Sequence, residues 1–128
     1  MYEDWAEQFR VLGDATRLRI LALLRVREAC VCELAALLPV SQPAVSQHLR
    51  RLRQAGLVAV RRQQAWTFYR LRPDMPNHLR EWLADVPVDA HDVEWLSTHH
   101  VGESCPEGLP ASKAGPLSAS EPARGVDA

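Results

Sequence analysis

Cysteine is scarce in this sequence: three residues in 128, two of them at positions 30 and 32. Three thiols, two almost adjacent, make a poor disulfide framework. A reduced setting is expected, where such thiols bind metals or react. No apolar run approaches the ~20 residues of a membrane-spanning helix. The opening Met1-Tyr2-Glu3-Asp4-Trp5 is acidic and lacks the basic start and apolar stretch of a signal peptide. The expected location is the cytoplasm, with no membrane partner. There is no glycine-rich phosphate loop, and the five histidines are scattered, none paired in sequence with a thiol. A reductase or hydrolase needs a base beside its nucleophile, so the chain is not expected to be an enzyme. The last absence says most. Between Leu34 and Pro73 there is no Asp or Glu, while Arg50, Arg51, Arg53, Arg61, Arg62, Arg70 and Arg72 fall inside that window. The window carries +7 in a chain of net charge -1, so the remainder carries -8. A near-neutral protein with one basic face suits a polyanion partner. A merely solvated face would mix both signs.

What is present reads as a mainly helical chain with one hairpin. Trp5, Phe9 and Leu12 recur at helical spacing over residues 2 to 12, and Gly13 ends that segment. Asp14 can cap a second helix, Ala15 to Arg27, whose Leu18, Ile20, Leu21, Leu24 and Val26 supply core. A short third helix is expected from about Cys32 to Leu38, stopped by Pro39. Ser41 starts a fourth, with Pro43 in its first turn and Gly56 past its end. Val45, Leu49 and Leu52 form its apolar stripe. The period then changes to two. Leu57, Val58 and Val60, then Trp66, Phe68, Tyr69 and Leu71, predict a hairpin with Arg61-Arg62-Gln63-Gln64 at its tip. No Asn-Gly or Asp-Gly fixes the turn type. A fifth helix over about 76 to 85 carries Leu79, Trp82 and Leu83, and residues 89 to 101 suggest a C-terminal helix. Three regions result: 1–88 as the folded unit, 89–101 as the appended helix, and 102–128 as a Gly-, Pro-, Ala- and Ser-rich tail expected to be disordered.

A short helix, a tight turn and a second helix opening on polar residues describe a helix-turn-helix, and the hairpin makes it winged. The N-terminal turn of the second helix offers free N–H groups and a positive dipole end to phosphate. Ser41, Gln42, Ser46, Gln47 and His48 are hydrogen-bonders able to reach base edges in the major groove of double-stranded DNA. Arg50, Arg51, Arg61 and Arg62 suit phosphates. A module this small is expected to work as a dimer on two half-sites.

Four blocks carry a resemblance. They are Leu12-Gly13-Asp14-Ala15-Thr16-Arg17-Leu18-Arg19-Ile20-Leu21, then Cys30-Val31-Cys32-Glu33-Leu34, then Ser41-Gln42-Pro43-Ala44-Val45-Ser46-Gln47-His48-Leu49-Arg50-Arg51-Leu52, followed by Tyr69-Arg70-Leu71. Together they resemble the ArsR/SmtB family of metal-sensing repressors over roughly residues 2 to 85. The resemblance implies a homodimeric winged helix-turn-helix that binds an operator and releases it on binding a metal or metalloid. It also implies a dimer interface from the first and fifth helices, here Trp5, Phe9, Leu79 and Trp82.

The Cys-Val-Cys-Glu-Leu block looks like the inducer site of the arsenic-responsive branch, which implies arsenite, and with it antimony(III), as inducer. A third local cysteine common in that branch is Ala35 here. Trivalent arsenic is soft and takes three sulfurs. The third ligand is left to Cys105, a small thiol or hydroxide. On a regular helix positions i and i+2 are about 200° apart. One ion then reaches both Cys30 and Cys32 only if the first turn distorts or Cys30 lies outside the helix. A helix N-terminus favours thiolate, and Glu33 reads as a first-turn helix charge. Two alternatives stand beside this. A zinc or cadmium sensor would use Asp89, His91, His99 and His100. A redox-sensing repressor would join Cys30 to Cys32.

Overall fold

The computed structural model describes residues 1–99. His100, Cys105 and the 102–128 tail lie outside the described residues. The order of elements is α1 (Tyr2–Leu12), α2 (Ala15–Val26), α3 (Val31–Leu37), α4 (Gln42–Gln54), β1 (Val58–Gln63), β2 (Trp66–Leu71), α5 (Asn77–Asp85) and α6 (Ala90–Thr98).

The starts of α2 and α4 are written in capping residues. The Asp14 carboxylate accepts the Arg17 N–H at 3.0 Å to open α2, and the Ser41 hydroxyl accepts the Ala44 N–H at 3.4 Å to open α4. Pro43 stands in the first turn of α4, where its missing N–H costs nothing. Gly56 ends that helix at φ +80°, a conformation that glycine adopts without strain, and Leu57 N–H returns to the Leu52 carbonyl at 3.0 Å.

Helix α2 is the centre. Its run from Ile20 to Leu24 is buried on every side, so the other elements pack around it. Val45, Leu49 and Leu52 of α4 are fully buried against the same core, with Leu34, Leu57, Leu79, Leu83 and Leu96. Helices α3 and α4 pack on each other with a four-residue turn, 38–41, between them. Strands β1 and β2 form a two-stranded antiparallel sheet in which Val60 faces Tyr69 and Arg61 faces Phe68. This is a winged helix-turn-helix, as the spacing predicts.

The wing is not a free flap. Ala29, in the loop before α3, exchanges both backbone hydrogen bonds with Tyr69, at 3.0 and 2.8 Å. That bridge sets the Cys30 loop against strand β2. Helix α6 spans Ala90–Thr98 and packs on α2. Buried Asp92 takes a two-pronged ion pair from Arg19 at 3.0 and 3.1 Å. The hairpin tip departs from expectation. Gln64 and Ala65 make the two-residue turn, with Gln64 at φ +56°, and Arg61 and Arg62 lie inside β1.

Candidate nucleic-acid interface and thiol site

Burial of the Val45, Leu49 and Leu52 stripe turns the rest of α4 outward. Gln42, Gln47, Arg50 and Arg51 are exposed, and so is Ser41 at the cap. Ser46 is half-buried. His48 is also half-buried, and its Nδ1 lies 3.3 Å from Nη1 of Arg17. Arg17 in turn donates to the Val11 carbonyl at 2.6 Å, which ties the middle of α4 to the end of α1. His48 is therefore held by the protein as well as facing outward.

The wing arginines separate into two kinds. Arg62 is exposed. Arg61 is not available for phosphate as expected: its guanidinium makes a two-pronged pair with Glu28 at 2.6 and 3.1 Å and lies over the Phe68 ring, 4.7 Å from its centre. The Arg61 hydrogen bond holds the Glu28 carboxyl below its ordinary range, and the same contact raises Arg61. The pair ties the wing to the loop before α3.

Cys30 is the N-cap of α3, with extended backbone at φ -93° and ψ 171°, and Cys32 lies within the first turn. The geometry that kept i and i+2 apart does not apply, because Cys30 lies outside the helix. The two Sγ atoms are 3.2 Å apart with no distortion of α3. Cys30 is buried and Cys32 half-buried, and both pack against Phe68 and Trp66 of the wing. The thiol pair therefore touches the outer half of β2 directly.

The helix start does not lower the Cys30 thiol as expected. Burial, then the neighbouring Glu33 carboxylate, push it up to about 12. Cys30 is a neutral thiol at rest.

Glu33 is not a solvated helix charge either. It is fully buried. One carboxylate oxygen accepts the Cys30 N–H at 3.0 Å, and both oxygens meet the Arg27 guanidinium at 3.3 Å. Arg27 also donates to the carbonyls of Glu28 at 2.6 Å, Leu96 at 3.0 Å and His99 at 3.0 Å. One guanidinium thus joins the thiol loop to the C-terminal end of α6. A Cys-x-x-Glu start mimics the Ser-x-x-Glu capping box, which was the available signal for Glu33. Arg27 stands across a helix break, so no periodicity points to it.

Trp5, Phe9 and Trp82 form an exposed aromatic row on α1 and α5. Phe9 stacks on Trp82 at 5.6 Å, and His78 lies between Trp5 and Trp82 at 4.6 and 5.5 Å. Leu79, grouped with them in the expected interface, belongs instead to the protomer's core at 1% exposure. It projects from the opposite side of α5, beside Leu83.

Among the described residues no group of three or more His, Cys, Asp and Glu side chains could hold a metal ion. Asp89 caps α6 by accepting the His91 N–H at 2.8 Å, and His99 stacks on Trp95 at 4.0 Å. Among the described residues no helix is long and apolar enough to cross a membrane.

Comparison with known proteins agrees with this architecture. Residues 14–60 match the family model described as bacterial regulatory protein, arsR family. The chain is 47% identical over 90 residues to the arsenic resistance transcriptional regulator ArsR1 of Pseudomonas putida, covering 70% of this chain and 69% of that one. It is 44% identical over 87 residues to the arsenical resistance operon repressor of Escherichia coli, covering 67% and 71%. Among solved structures, the homodimeric winged helix-turn-helix DNA-binding domain of Mb0332 from Mycobacterium bovis aligns with a TM-score of 0.57 at 26% identity, over 65% of this chain and 74% of that one.

Proposed function

This chain belongs to the arsR family of bacterial regulatory proteins, and on that premise we propose that it is a cytoplasmic, homodimeric repressor whose operator is released when trivalent arsenic binds Cys30 and Cys32. Its relatives are transcriptional regulators, not enzymes. The observation that carries the inducer reading is the 3.2 Å separation of two sulfurs packed on the wing. One soft ion can engage both without first unwinding α3. Antimony(III) has the same preference and falls within the same reading.

The chemistry suits a neutral thiol. In the fully reduced protein, arsenous acid, As(OH)3, condenses with two thiols to give (RS)2AsOH and two waters. The thiol protons leave with the departing hydroxyls, so no thiolate need stand ready. The metalloid then occupies space beside Phe68 and Trp66. Helix α3 packs on α4, and Ala29 is bridged to Tyr69. A new group at the loop is therefore felt by both DNA-reading elements. Turning a 99:1 bound population into 1:99 requires the inducer to prefer the released form by about 5.5 kcal/mol.

In this reading Gln42, Ser46, Gln47 and His48 face base edges from the start of α4, while Ser41, Arg50, Arg51 and Arg62 meet the phosphate backbone. Arg61 serves the wing's attachment. The exposed row of Trp5, Phe9 and Trp82 is the surface for the second protomer, as large apolar patches are at interfaces. Residues 1–88 form the DNA-binding and dimerising unit, and α6 is an addition to it. The sulfur separation also supports a second reading, in which a hydroperoxide oxidises Cys30 and Cys32 to a disulfide.

Fluorescence anisotropy of the reduced protein on its own upstream DNA decides between these. Release by stoichiometric arsenite, without turnover, is expected. Release only by hydroperoxide would favour the redox reading, and release only by zinc would overturn both.

A further inference from the structure

Beside the base of the wing lies a cavity of about 250 Å³ lined by Arg25, Leu71, Met75, Arg80, Leu83 and Ala84. We infer that it is a binding site for a small monocarboxylate with an apolar body, whose carboxylate is taken by Arg25. Three elements meet there: the end of α2, the end of β2 and the later turns of α5. The walls are apolar side chains, and the charged groups are two guanidiniums. Small-molecule sites have this composition, with apolar walls and a few polar groups that fix orientation. The volume falls below the roughly 300 Å³ at which sites for drug-sized ligands begin, so the ligand is small.

The Arg25 guanidinium is held in place by one of its nitrogens. Nη1 donates to the carbonyls of Leu83 and Val86, the latter at 2.8 Å, at the end of α5. Nε and Nη2 have no partner among the described residues. They reach solvent, because the one buried side-chain nitrogen or oxygen without a partner among the described residues is Nε2 of His78. Nε and Nη2 form one edge of the guanidinium plane, with two parallel N–H groups that match a carboxylate. Three other arginines in this chain give that same edge to an acid. Arg19 gives it to Asp92 at 3.1 and 3.0 Å, Arg61 to Glu28 at 3.1 and 2.6 Å, and Arg72 to Asp74 at 2.9 and 2.8 Å. Arg25 presents it to the cavity.

Arg80 supplies a second positive charge. Its Nη2 donates to the carbonyls of Pro73 at 2.8 Å and Met75 at 3.4 Å, which holds it at the rim. The carbonyls at the end of α5 partly offset the Arg25 charge, and Arg80 tips the balance toward an anion. A phosphate would bring more oxygens than one guanidinium edge can meet, and those left over would face apolar walls. A carboxylate has two, and its apolar body covers Leu71, Met75, Leu83 and Ala84. At 100° per residue, Arg80 and Ala84 lie about 160° around α5 from Trp82. A second protomer seated on the aromatic row therefore approaches from the other side. The site is also separate from the thiol pair, and its test does not depend on the arsenic reading.

Isothermal titration calorimetry of the reduced full chain tests the site with benzoate and hexanoate, beside benzyl alcohol and hexanol as their neutral counterparts. Saturable binding of at least one acid is expected, one per protomer. Its alcohol should bind at least about tenfold more weakly, the worth of one charge-assisted hydrogen bond. Arg25→Lys keeps the charge and loses the two-pronged edge, so the acid should again bind at least about tenfold more weakly. Ala84→Phe fills the cavity from an exposed position and should abolish binding. It leaves the Arg25 contacts in place, so it tests the site even where Arg25→Lys loosens the end of α5. No saturable binding of either acid would overturn the inference. Inorganic phosphate binding as tightly as the acids would overturn the apolar body as a requirement. Acid binding unchanged in Ala84→Phe would overturn the location, and unchanged binding in Arg25→Lys would overturn the role of Arg25.

Discussion

Replacing Glu33 by Ala removes a buried charge from between two groups that depend on it. Breaking a buried ion pair from one side usually costs about 3–5 kcal/mol, because the surviving charge is left uncompensated. Arg27 keeps three carbonyl acceptors, on Glu28, Leu96 and His99, and its side chain is 17% exposed. The cost therefore falls at the lower end, about 3 kcal/mol. The Cys30 N–H also loses its acceptor at the start of α3, which adds about 1 kcal/mol. A total loss of about 4 kcal/mol is expected from those two figures, read by urea denaturation at fixed protein concentration. The pairing is tested by adding Arg27→Met to Glu33→Leu. With both charges gone, no orphan remains, and the double variant should cost less than the sum of the singles by at least about 1 kcal/mol. A loss under about 1 kcal/mol for Glu33→Ala, or strict additivity in the cycle, would refute the reasoning.

Asp92→Ala should cost about 2 kcal/mol, since Arg19 is exposed enough to rehydrate but loses its charge-assisted bonds. Faster amide exchange confined to α6 is expected, and unchanged protection there would contradict the anchor. Arg62→Ala should lower the slope of log binding against log salt by about 0.9, the share of one phosphate contact. Arg61→Ala should leave that slope alone and loosen the wing; the reverse pattern would reassign the two residues. In the reduced chain at pH 8, Cys30 should react with iodoacetamide at least about tenfold more slowly than a thiol of ordinary pKa, because burial and Glu33 raise its own. Labelling of Cys30 at an ordinary thiol's rate would show that it is less buried than described.

The helix starts were legible because capping is local. Asp14, Ser41 and Gly56 mark where α2 begins and where α4 begins and ends, and those boundaries match within a residue or two. The tip of the wing was not legible. A Gln at φ +56° takes the place where a glycine or asparagine would have announced the turn, so Arg61 and Arg62 were assigned to the tip. Leu79 and Trp82 sit three apart on α5, and spacing shows that both are apolar without showing that one faces in and the other out. The helix that Cys30 opens was read correctly as packing on the recognition helix. The chemistry of Cys30 was not, because its thiol is raised by burial, in a cluster with Phe68 far along the chain, and by Glu33. The Arg27–Glu33 and Arg19–Asp92 pairs bridge elements with no shared period, and only the folded chain brings them together.

The central claim is that Cys30 and Cys32 together hold the inducer. Arsenite titration of the preformed DNA complex, followed by anisotropy for the wild-type chain and for Cys30→Ser and Cys32→Ser, tests it most directly. The account predicts that all three proteins bind DNA with similar affinity and that only the wild-type complex dissociates. Dissociation of either variant at the wild-type arsenite concentration would contradict it.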